Sequence, residues 1–438
     1  MRMIARRSHL VQCGRIFGRL IGMNKEVKRI YLDHAAATPL DPHVREKMAP
    51  FLELEFGNPS GLHQEGVRAR RAIEEARETV ATLSGAHASE IIFTGSGTES
   101  TNLAIDGVVG SYRASHPGVI PHIVTTSIEH HAVLEPIRRL VKERKVTVDV
   151  LPVDVEGRVH SDQVMKVLRP ETALVAVMYA NNEIGSIQPI AEIAKGIRKW
   201  KKAHGAPSRE RTESTLPSYP YFFTDACQVA NYCAIQVEQL GVDLMAVNSS
   251  KIYGPKGVGL LFMRRGAMLL PQIIGGGQEG GMRAGTENVA GIVGFAEAFR
   301  VASESHEEES ARLTLLRDEF ARLILGRIPG AVVNGGMKER LPNNLNVTIP
   351  EADHEFLAIA LDARGVACST KSACNELDAE ISHVLQALRD AGDGASSSPA
   401  AGLRFSLGRS TTREDMLMTV EILGDVVETL VVPTRSSA

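Results

Sequence analysis

The sequence predicts an α/β fold with a mostly parallel sheet, followed by a smaller α+β domain. Seven short runs rich in β-branched and aromatic residues alternate with longer amphipathic stretches over residues 91–263. Such alternation is typical of strand–helix–strand units, whose strands lie parallel in one sheet. After about residue 290 the pattern changes to one long helical run, which indicates a second architecture.

The predicted strands are compact apolar runs, and the stretches between them place apolar residues three and four apart, as in HAVLEPIRRLVKER and PIAEIAKGIRKWKKAHG. Periodicity does not give the order of the strands in the sheet. The seven runs are IIFT (91–94), HIVTT (122–126), VTVDVLPV (146–153), ALVAVMYA (173–180), YFFTDA (221–226), LMAVN (244–248) and GVGLLFM (257–263).

These patterns predict a large domain over 40–290, in which the polar segment 206–219 is a loop insertion. A small domain over 29–39 and 291–438 would contain the run SESHEEESARLTLLRDEFARLIL, the strand NNLNVTI and a cysteine-bearing loop. Residues 1–28 stand apart, because their first part carries several arginines and no acidic residue. We interpret them as an unstructured leader or a start-site artefact, with a mitochondrial transit peptide as the alternative.

The composition is that of a globular chain, with 43% hydrophobic residues and a net charge of −3 in 438 residues. Neither a membrane nor a nucleic acid is an expected partner, since no apolar run approaches the length of a spanning helix and no basic stripe contains aromatic residues. Five cysteines are too sparse for a disulfide framework, which indicates a reducing compartment such as the cytoplasm. No C-x2-C pair occurs, so no metal site is expected.

Polar residues follow the predicted strands, at the edge of a parallel sheet where ligands bind. Gly97 and Thr98 follow the first run in a glycine-rich turn that opens a helix, and such a turn offers amides and a helix N-terminus to a phosphate. His130 follows the second run, and Asn182 follows the fourth. For each of these residues taken alone, a structural role is at least as common as a functional one.

Asp225 lies near the end of the fifth run, Gln228 follows that run, and Lys251 follows the sixth. A carboxylate such as Asp225 at the end of an apolar strand is costly to bury without a cationic partner. The ordinary interpretation of a single lysine is a surface position. A lysine, an aspartate, an imidazole and a phosphate-type turn at one sheet edge are instead what pyridoxal phosphate requires of its binding site.

The segment ACSTKSACNE contains Cys368 and Cys374 among small polar residues. Since a disulfide and a metal pair are disfavoured by composition, two interpretations remain at this point. The cysteines are either buried structural thiols, or part of a mobile loop that carries a nucleophile.

Ten motifs, in this order, resemble the class I cysteine desulfurases, the group of IscS and NifS. The resemblance runs from Tyr31 to the last helix and implies a pyridoxal-phosphate enzyme of aminotransferase fold type I that converts L-cysteine into L-alanine and an enzyme persulfide. The motifs are YLDHAAATPLDP, FGNPSGLH, FTGSGTESTNLAI, EHHAVLEP, NNEIG, TDACQ, KIYGPKG, GGGQEGGMRAGTEN, STKSACN and RFSLGR.

The same resemblance implies roles for the candidate residues. Lys251 would form the Schiff base with pyridoxal 5′-phosphate and move protons, and His130 would stack on the cofactor ring. Asp225 would hold the proton of the ring nitrogen. The remaining implied cofactor contacts are Gln228 and Asn182 at the ring oxygen, Gly97, Thr98, Asn248 and Ser250 at the phosphate, and Thr286 at the phosphate of a neighbouring subunit.

By the resemblance, Cys374 is the sulfur acceptor and Cys368 is a small buried core residue. Arg404 would grip the substrate carboxylate, a task that suits a bidentate guanidinium, and Asn182 is a further substrate contact. The reach of Thr286 implies a homodimer. The persulfide would be delivered to an acceptor protein, either an iron–sulfur scaffold or a tRNA-thiolation protein.

Three features depart from the family pattern. Ser250 replaces a histidine, which is expected to weaken phosphate binding, and Lys371 replaces a glycine, which is expected to stiffen the loop and to lower the pKa of Cys374 or alter partner docking. The chain also ends soon after Arg404, without the extension of mitochondrial members, which favours the cytoplasm.

Other functions remain open. A selenocysteine lyase shares the fold, the lysine and the cysteine, and the missing histidine leaves room for a cofactor-free scaffold. A different enzyme of the same fold type, such as an aminotransferase, would need no cysteine loop. The sequence does not identify the sulfur acceptor.

Overall fold

The structure, a computed structural model, describes residues 28–204, 219–370, 382–392 and 401–430. Residues 1–27 of the predicted leader and 206–218 of the predicted insertion lie outside this part of the chain. The strands of the described residues are β1 (Ile30–Tyr31), β2 (Ile91–Thr94), β3 (His122–Thr126), β4 (Thr147–Leu151), β5 (Thr172–Ala176), β6 (Tyr221–Asp225), β7 (Leu244–Asn248), β8 (Gly259–Met263), β9 (Val332–Val333), β10 (Asn344–Thr348), β11 (Val366–Ala367) and β12 (Leu403–Ser406).

Helices α4 (His131–Lys142) and α6 (Ile190–His204) begin and end close to the predicted amphipathic stretches HAVLEPIRRLVKER and PIAEIAKGIRKWKKAHG. None of the helices that the structure describes is long and apolar enough to cross a membrane. They are α1 (Pro42–Glu53), α2 (Gln64–Ser84), α3 (Gly97–Ser115), α4 (His131–Lys142), α5 (Ser161–Val167), α6 (Ile190–His204), α7 (Val237–Leu240), α8 (Val289–Arg327), α9 (His354–Ala363), α10 (His383–Ala391) and α11 (Arg413–Leu430).

The central element is a seven-stranded sheet in the order β2-β8-β7-β6-β5-β3-β4. The pairs from β7 to β4 are all parallel. Strand β8 runs antiparallel to both of its neighbours, β2 and β7. The predicted α/β class with a mostly parallel seven-stranded sheet is therefore confirmed, and the pairing supplies the strand order that the sequence left open.

Both faces of this sheet are covered by helices, because successive side chains of a strand point to opposite faces and both sets are apolar here. On one face, α3 packs against the alternate residues Ile123, Leu174 and Phe223. On the other face, the intervening residues Val124, Val175 and Phe222 pack in one cluster with Ile193 and Ile197 of α6 and Phe295 of α8.

A second, three-stranded antiparallel sheet has the order β12-β10-β9, and β1 pairs in parallel with β11. The long helical run predicted after residue 290 is one helix, α8, which packs on α1, α2 and α11. Strand β1 thus joins the C-terminal part of the chain, far from it in sequence. The domain boundaries given above stay a prediction.

Candidate functional site

A cleft opens at the carboxyl ends of the central strands, where loops from different strands meet. The residues that follow each parallel strand lie at this same edge of the sheet, so residues far apart in sequence become neighbours. Predicted site residues that line the cleft are Gly97, Thr98, His130, Asn182, Asp225, Gln228, Asn248, Lys251 and Arg404.

The N-terminus of α3 forms one wall of the cleft. Ser96 caps this helix by accepting a hydrogen bond from Glu99 N at 3.1 Å. A Cβ atom at Gly97 would lie 2.6 Å from Cys227 Sγ, so the helix can start this close to its neighbours only with glycine. The exposed Thr98 and the free amides of the first turn form a cradle that suits a phosphate.

Lys251 ends a short 3-10 helix, Ser249–Lys251, directly after β7. Its Nζ donates hydrogen bonds to Ala35 O at 2.8 Å and to Ala36 O. Gln228 Nε2 donates to the same Ala35 O at 3.0 Å. The backbone of the YLDHAAATPLDP motif therefore holds the lysine amine within the cleft.

His130 is the N-cap residue of α4, and its Nδ1 accepts a hydrogen bond from Ala132 N at 3.0 Å. Burial lowers the pKa of His130, so the ring is neutral and carries its proton on Nε2. Asp225, at the end of β6, is buried with one carboxylate oxygen accepting from Cys227 N at 3.0 Å. A neutral flat ring and a buried carboxylate thus lie in one cleft.

Arg404 reaches the cleft from β12, in the second sheet, and is only 1% exposed. Its Nη2 lies 2.7 Å from Asp33 Oδ1, and its Nη1 donates to Asn182 O at 3.1 Å. Nε is buried without a hydrogen-bond partner among the described residues. This unmatched donor makes the guanidinium a suitable site for a further carboxylate.

Two predicted cofactor contacts do not line the cleft in this chain. Ser250 is half-buried, and its carbonyl accepts a hydrogen bond from Thr38 N at 3.0 Å. Thr286 is exposed. Cys374 and Lys371 lie outside the described residues, and Cys368, expected to be buried, is only partly buried where it packs against the core after β11.

Sequence reasoning assigned no role to Asp33, Ala35 and Ala36, which hold Arg404 and Lys251, or to Cys227, which lines the cleft. The first three belong to a motif that the resemblance had already singled out, and that motif was the only signal for them. A sequence pattern based on residue spacing does not predict contacts between residues more than two hundred positions apart.

Comparison with known protein families identifies the family of this chain. The family described as "Aminotransferase class-V" matches residues 30–206 and 215–418. The chain belongs to the class-V aminotransferase family. Within that family, the cysteine desulfurase IscS of Dictyoglomus turgidum (strain DSM 6724 / Z-1310) is 44% identical to this chain over 403 residues, covering 92% of this chain and 95% of that protein.

Further relatives and solved structures are similar over most of their length. The cysteine desulfurase IscS of Methanosarcina thermophila is 39% identical over 409 residues, or 93% of this chain and 94% of that protein. A solved NifS-like protein has a TM-score of 0.79 at 32% identity and covers 92% of this chain and 100% of its own. The structure titled "SspA in complex with cysteine" has a TM-score of 0.70 at 33% identity, with coverage of 86% and 98%. These matches confirm the resemblance and the fold predicted from the motifs.

Proposed function

We infer that this chain is a cysteine desulfurase, which removes the sulfur of L-cysteine and leaves L-alanine. The observation that carries this conclusion is the cleft that brings Lys251, Asp225, His130 and Arg404 together. It occurs in a chain whose relatives, named cysteine desulfurase IscS, are up to 44% identical over nearly its whole length.

Pyridoxal 5′-phosphate is the proposed cofactor, because the donors of the cleft match its groups. The first turn of α3 with Thr98 suits the phosphate, the Lys251 amine suits the aldehyde, and the Asp225 carboxylate suits the ring nitrogen. When bound, the cofactor supplies an electron sink for negative charge on the substrate's α-carbon.

The chain's own groups bind the substrate and move its protons. Arg404 receives the α-carboxylate with a donor edge that includes Nε, which has no hydrogen-bond partner in the described part of the chain. Lys251 Nζ, held at the carbonyls of Ala35 and Ala36, takes and returns the proton of the α-carbon. His130 has Nδ1 engaged by Ala132, so only its Nε2 can exchange a proton with the cleft.

Cys374 is the proposed sulfur acceptor. Its thiolate attacks the substrate sulfur, so a sulfur–sulfur bond forms while the carbon–sulfur bond breaks. The electron pair of the broken bond stays on the substrate carbon and takes up a proton, which gives alanine. The persulfide on Cys374 is then passed to an iron–sulfur scaffold or a tRNA-thiolation protein.

A homodimer in the cytoplasm is the proposed state of the enzyme. Among the described residues, four large apolar side chains are more than three-quarters exposed, namely Leu54 at 76%, Phe56 at 78%, Leu62 at 91% and Ile274 at 85%, which favours cover by a second copy. The two small sheets, β12-β10-β9 and β1-β11, are separate from the seven-stranded sheet, which supports a large domain over 40–290 and a small domain over 29–39 and 291–438. Sedimentation analysis of the purified protein tests the dimer.

Reconstitution with pyridoxal phosphate tests the enzyme itself. The wild-type protein should become yellow and form alanine from L-cysteine, whereas Lys251→Ala should do neither. Lys256→Ala is the matched control, because Lys256 is exposed in the same KIYGPKG turn and does not line the cleft. A colourless reconstituted wild type, or turnover by Lys251→Ala, would overturn the proposal.

A further inference from the structure

Glu129 is a wholly buried acid at the edge of the cleft, immediately before His130 in the chain. Its side chain is 0% exposed. Oε1 accepts hydrogen bonds from Thr126 Oγ1 at 2.7 Å and from Met178 N at 2.8 Å. Oε2 is buried with no hydrogen-bond partner among the described residues.

These contacts join two strand ends. Thr126 closes β3, and Met178 follows β5, the neighbouring strand of the sheet. The backbone carbonyl of Glu129 also accepts a hydrogen bond from His383 Nε2, at the start of α10, at 3.0 Å. One residue therefore fixes the ends of two strands and a helix around the position of His130.

Within the described residues, the titratable groups that face Glu129 offer no compensating cation. Asp225 on β6 is an acid, and its charge disfavours ionisation of Glu129. His130 on α4 and His383 on α10 both have a pKa lowered by burial, so both are neutral at pH 7.

An ionised carboxylate with one oxygen buried and unpartnered is strongly disfavoured in such surroundings. Burial accordingly raises the pKa of Glu129 to about 8, against an ordinary value of 4.5. The hydrogen bonds from Met178 and Thr126 to Oε1 favour the ionised form, but burial outweighs them, and the carbonyl oxygen of the neutral acid still accepts both.

We propose that Glu129 is a positioning residue that acts in its protonated, uncharged form, holding His130 in place and keeping a second negative charge away from Asp225. An ionised Glu129 would favour protonation of the adjacent His130. A protonated ring can no longer accept the Ala132 N–H at Nδ1, so the cap of α4 would be lost. The role assigned to His130 rests on the proposed function, but the protonation of Glu129 does not.

Infrared spectroscopy of the cofactor-free protein at pH 7 tests the protonation directly. The carbonyl band of a buried protonated carboxyl group should be present in the wild type and absent in Glu129→Gln. Glu90→Gln is the matched control, because Glu90 is also buried but its two oxygens accept from Arg265 N at 2.9 Å and His87 N at 2.8 Å. A band that survives in Glu129→Gln would overturn the proposal.

Unfolding measurements across pH give a second readout that also needs no turnover. Because the folded-state pKa lies above the unfolded value, the contribution of Glu129 to stability is complete below pH 4.5 and is lost as the pH rises through about 8. The stability of the wild type relative to Glu129→Gln should therefore fall over this interval. A difference that does not change with pH would contradict the proposal.

Cofactor release connects the protonation to the cleft. Wild-type protein should release pyridoxal phosphate faster at pH 9 than at pH 7, and Glu129→Gln should lose this dependence. Glu129→Ala, which cannot accept the two hydrogen bonds, should release the cofactor about fivefold faster at pH 7. If the chain shows no desulfurase activity, the infrared and unfolding results still decide whether Glu129 is neutral. If Glu129→Gln releases the cofactor like Glu129→Ala, the positioning role is wrong.

Discussion

The guanidinium of Arg404 lies against the carboxylate of Asp33, with Nη2 2.7 Å from Oδ1. Asp33 follows β1 near the start of the described chain, and Arg404 lies on β12 near its end. The ion pair therefore joins the two ends of the chain at the cleft, and Nε remains as a buried donor without a partner among the described residues.

Arg404→Lys should raise KM for L-cysteine and lower kcat/KM by about thirtyfold. The physical reason is that an ammonium group cannot reproduce a bidentate, charge-assisted contact, which is worth about 2 kcal/mol. Arg413→Lys is the control, because Arg413 forms an exposed pair with Glu319 at 2.6 Å, away from the cleft. Steady-state kinetics of the wild type, Arg404→Lys and Arg413→Lys give KM and kcat/KM for each protein. Equal values for the two variants would show that Arg404 does not bind substrate.

The two cysteines of the STKSACN region should behave differently. Cys374→Ser should keep the yellow cofactor and lose persulfide formation, because the hydroxyl is a poor nucleophile at neutral pH. Cys368→Ser should keep most of the activity, since the Cys368 side chain packs against the core. Persulfide labelling followed by mass spectrometry measures both. Loss of the persulfide in Cys368→Ser alone would move the acceptor role to Cys368.

Ser250→His should retain pyridoxal phosphate longer than the wild type. Ser250 does not line the cleft itself but directly precedes Lys251, which does, and the prediction is that the longer imidazole side chain adds a charge-assisted donor to the phosphate. Such a donor exceeds a neutral one by about 1 kcal/mol, which is several-fold in affinity. Ser250→Ala separates the loss of the hydroxyl from the gain of the imidazole. Cofactor release during dialysis is the measurement, with turnover at saturating cofactor recorded beside it. Faster release from Ser250→His would show that the pocket is built around serine.

His34 should make the folded protein sensitive to acid. The ring is buried against Tyr31 and Tyr253, with centroid distances of 4.9 and 5.9 Å, and burial lowers the pKa of His34 to about 4. Because this value lies below the ordinary 6.5, the stability from neutral His34 is present above pH 6.5 and is lost as the pH falls towards 4.

The loss amounts to about 3 kcal/mol over this interval. Urea unfolding at several pH values should therefore give a shallower decline below pH 6.5 for His34→Gln than for the wild type. His43→Gln is the control, because the His43 side chain is 77% exposed. Parallel curves for the wild type and His34→Gln would contradict the assignment.

The strands of the central sheet could be predicted from short sequence segments, because each strand is marked by its own run of apolar residues. Continuous apolar runs such as IIFT and LMAVN coincide with β2 and β7, since strands buried on both faces need no polar alternation. The reversed direction of β8 was not predictable, because its apolar pattern is the same in either direction. The same reasoning placed His130, Asp225 and Lys251 near one sheet edge but gave no distances.

The sequence by itself determined the class of the fold, the family and the residue types of the cleft, because these depend on periodicity and on motifs within a few positions. Only the tertiary structure decided which backbone carbonyls hold Lys251, that Asp33 pairs with Arg404, and that Ser250 and Thr286 lie off the cleft in this chain. Only the tertiary structure also showed that Glu129 is wholly buried beside His130, which led to the proposal that it is a positioning residue. The physical reason is that these features depend on long-range packing, which no local sequence pattern encodes. They are a buried oxygen without a hydrogen-bond partner among the described residues, the burial of a side chain, and an ion pair between residues far apart in the chain.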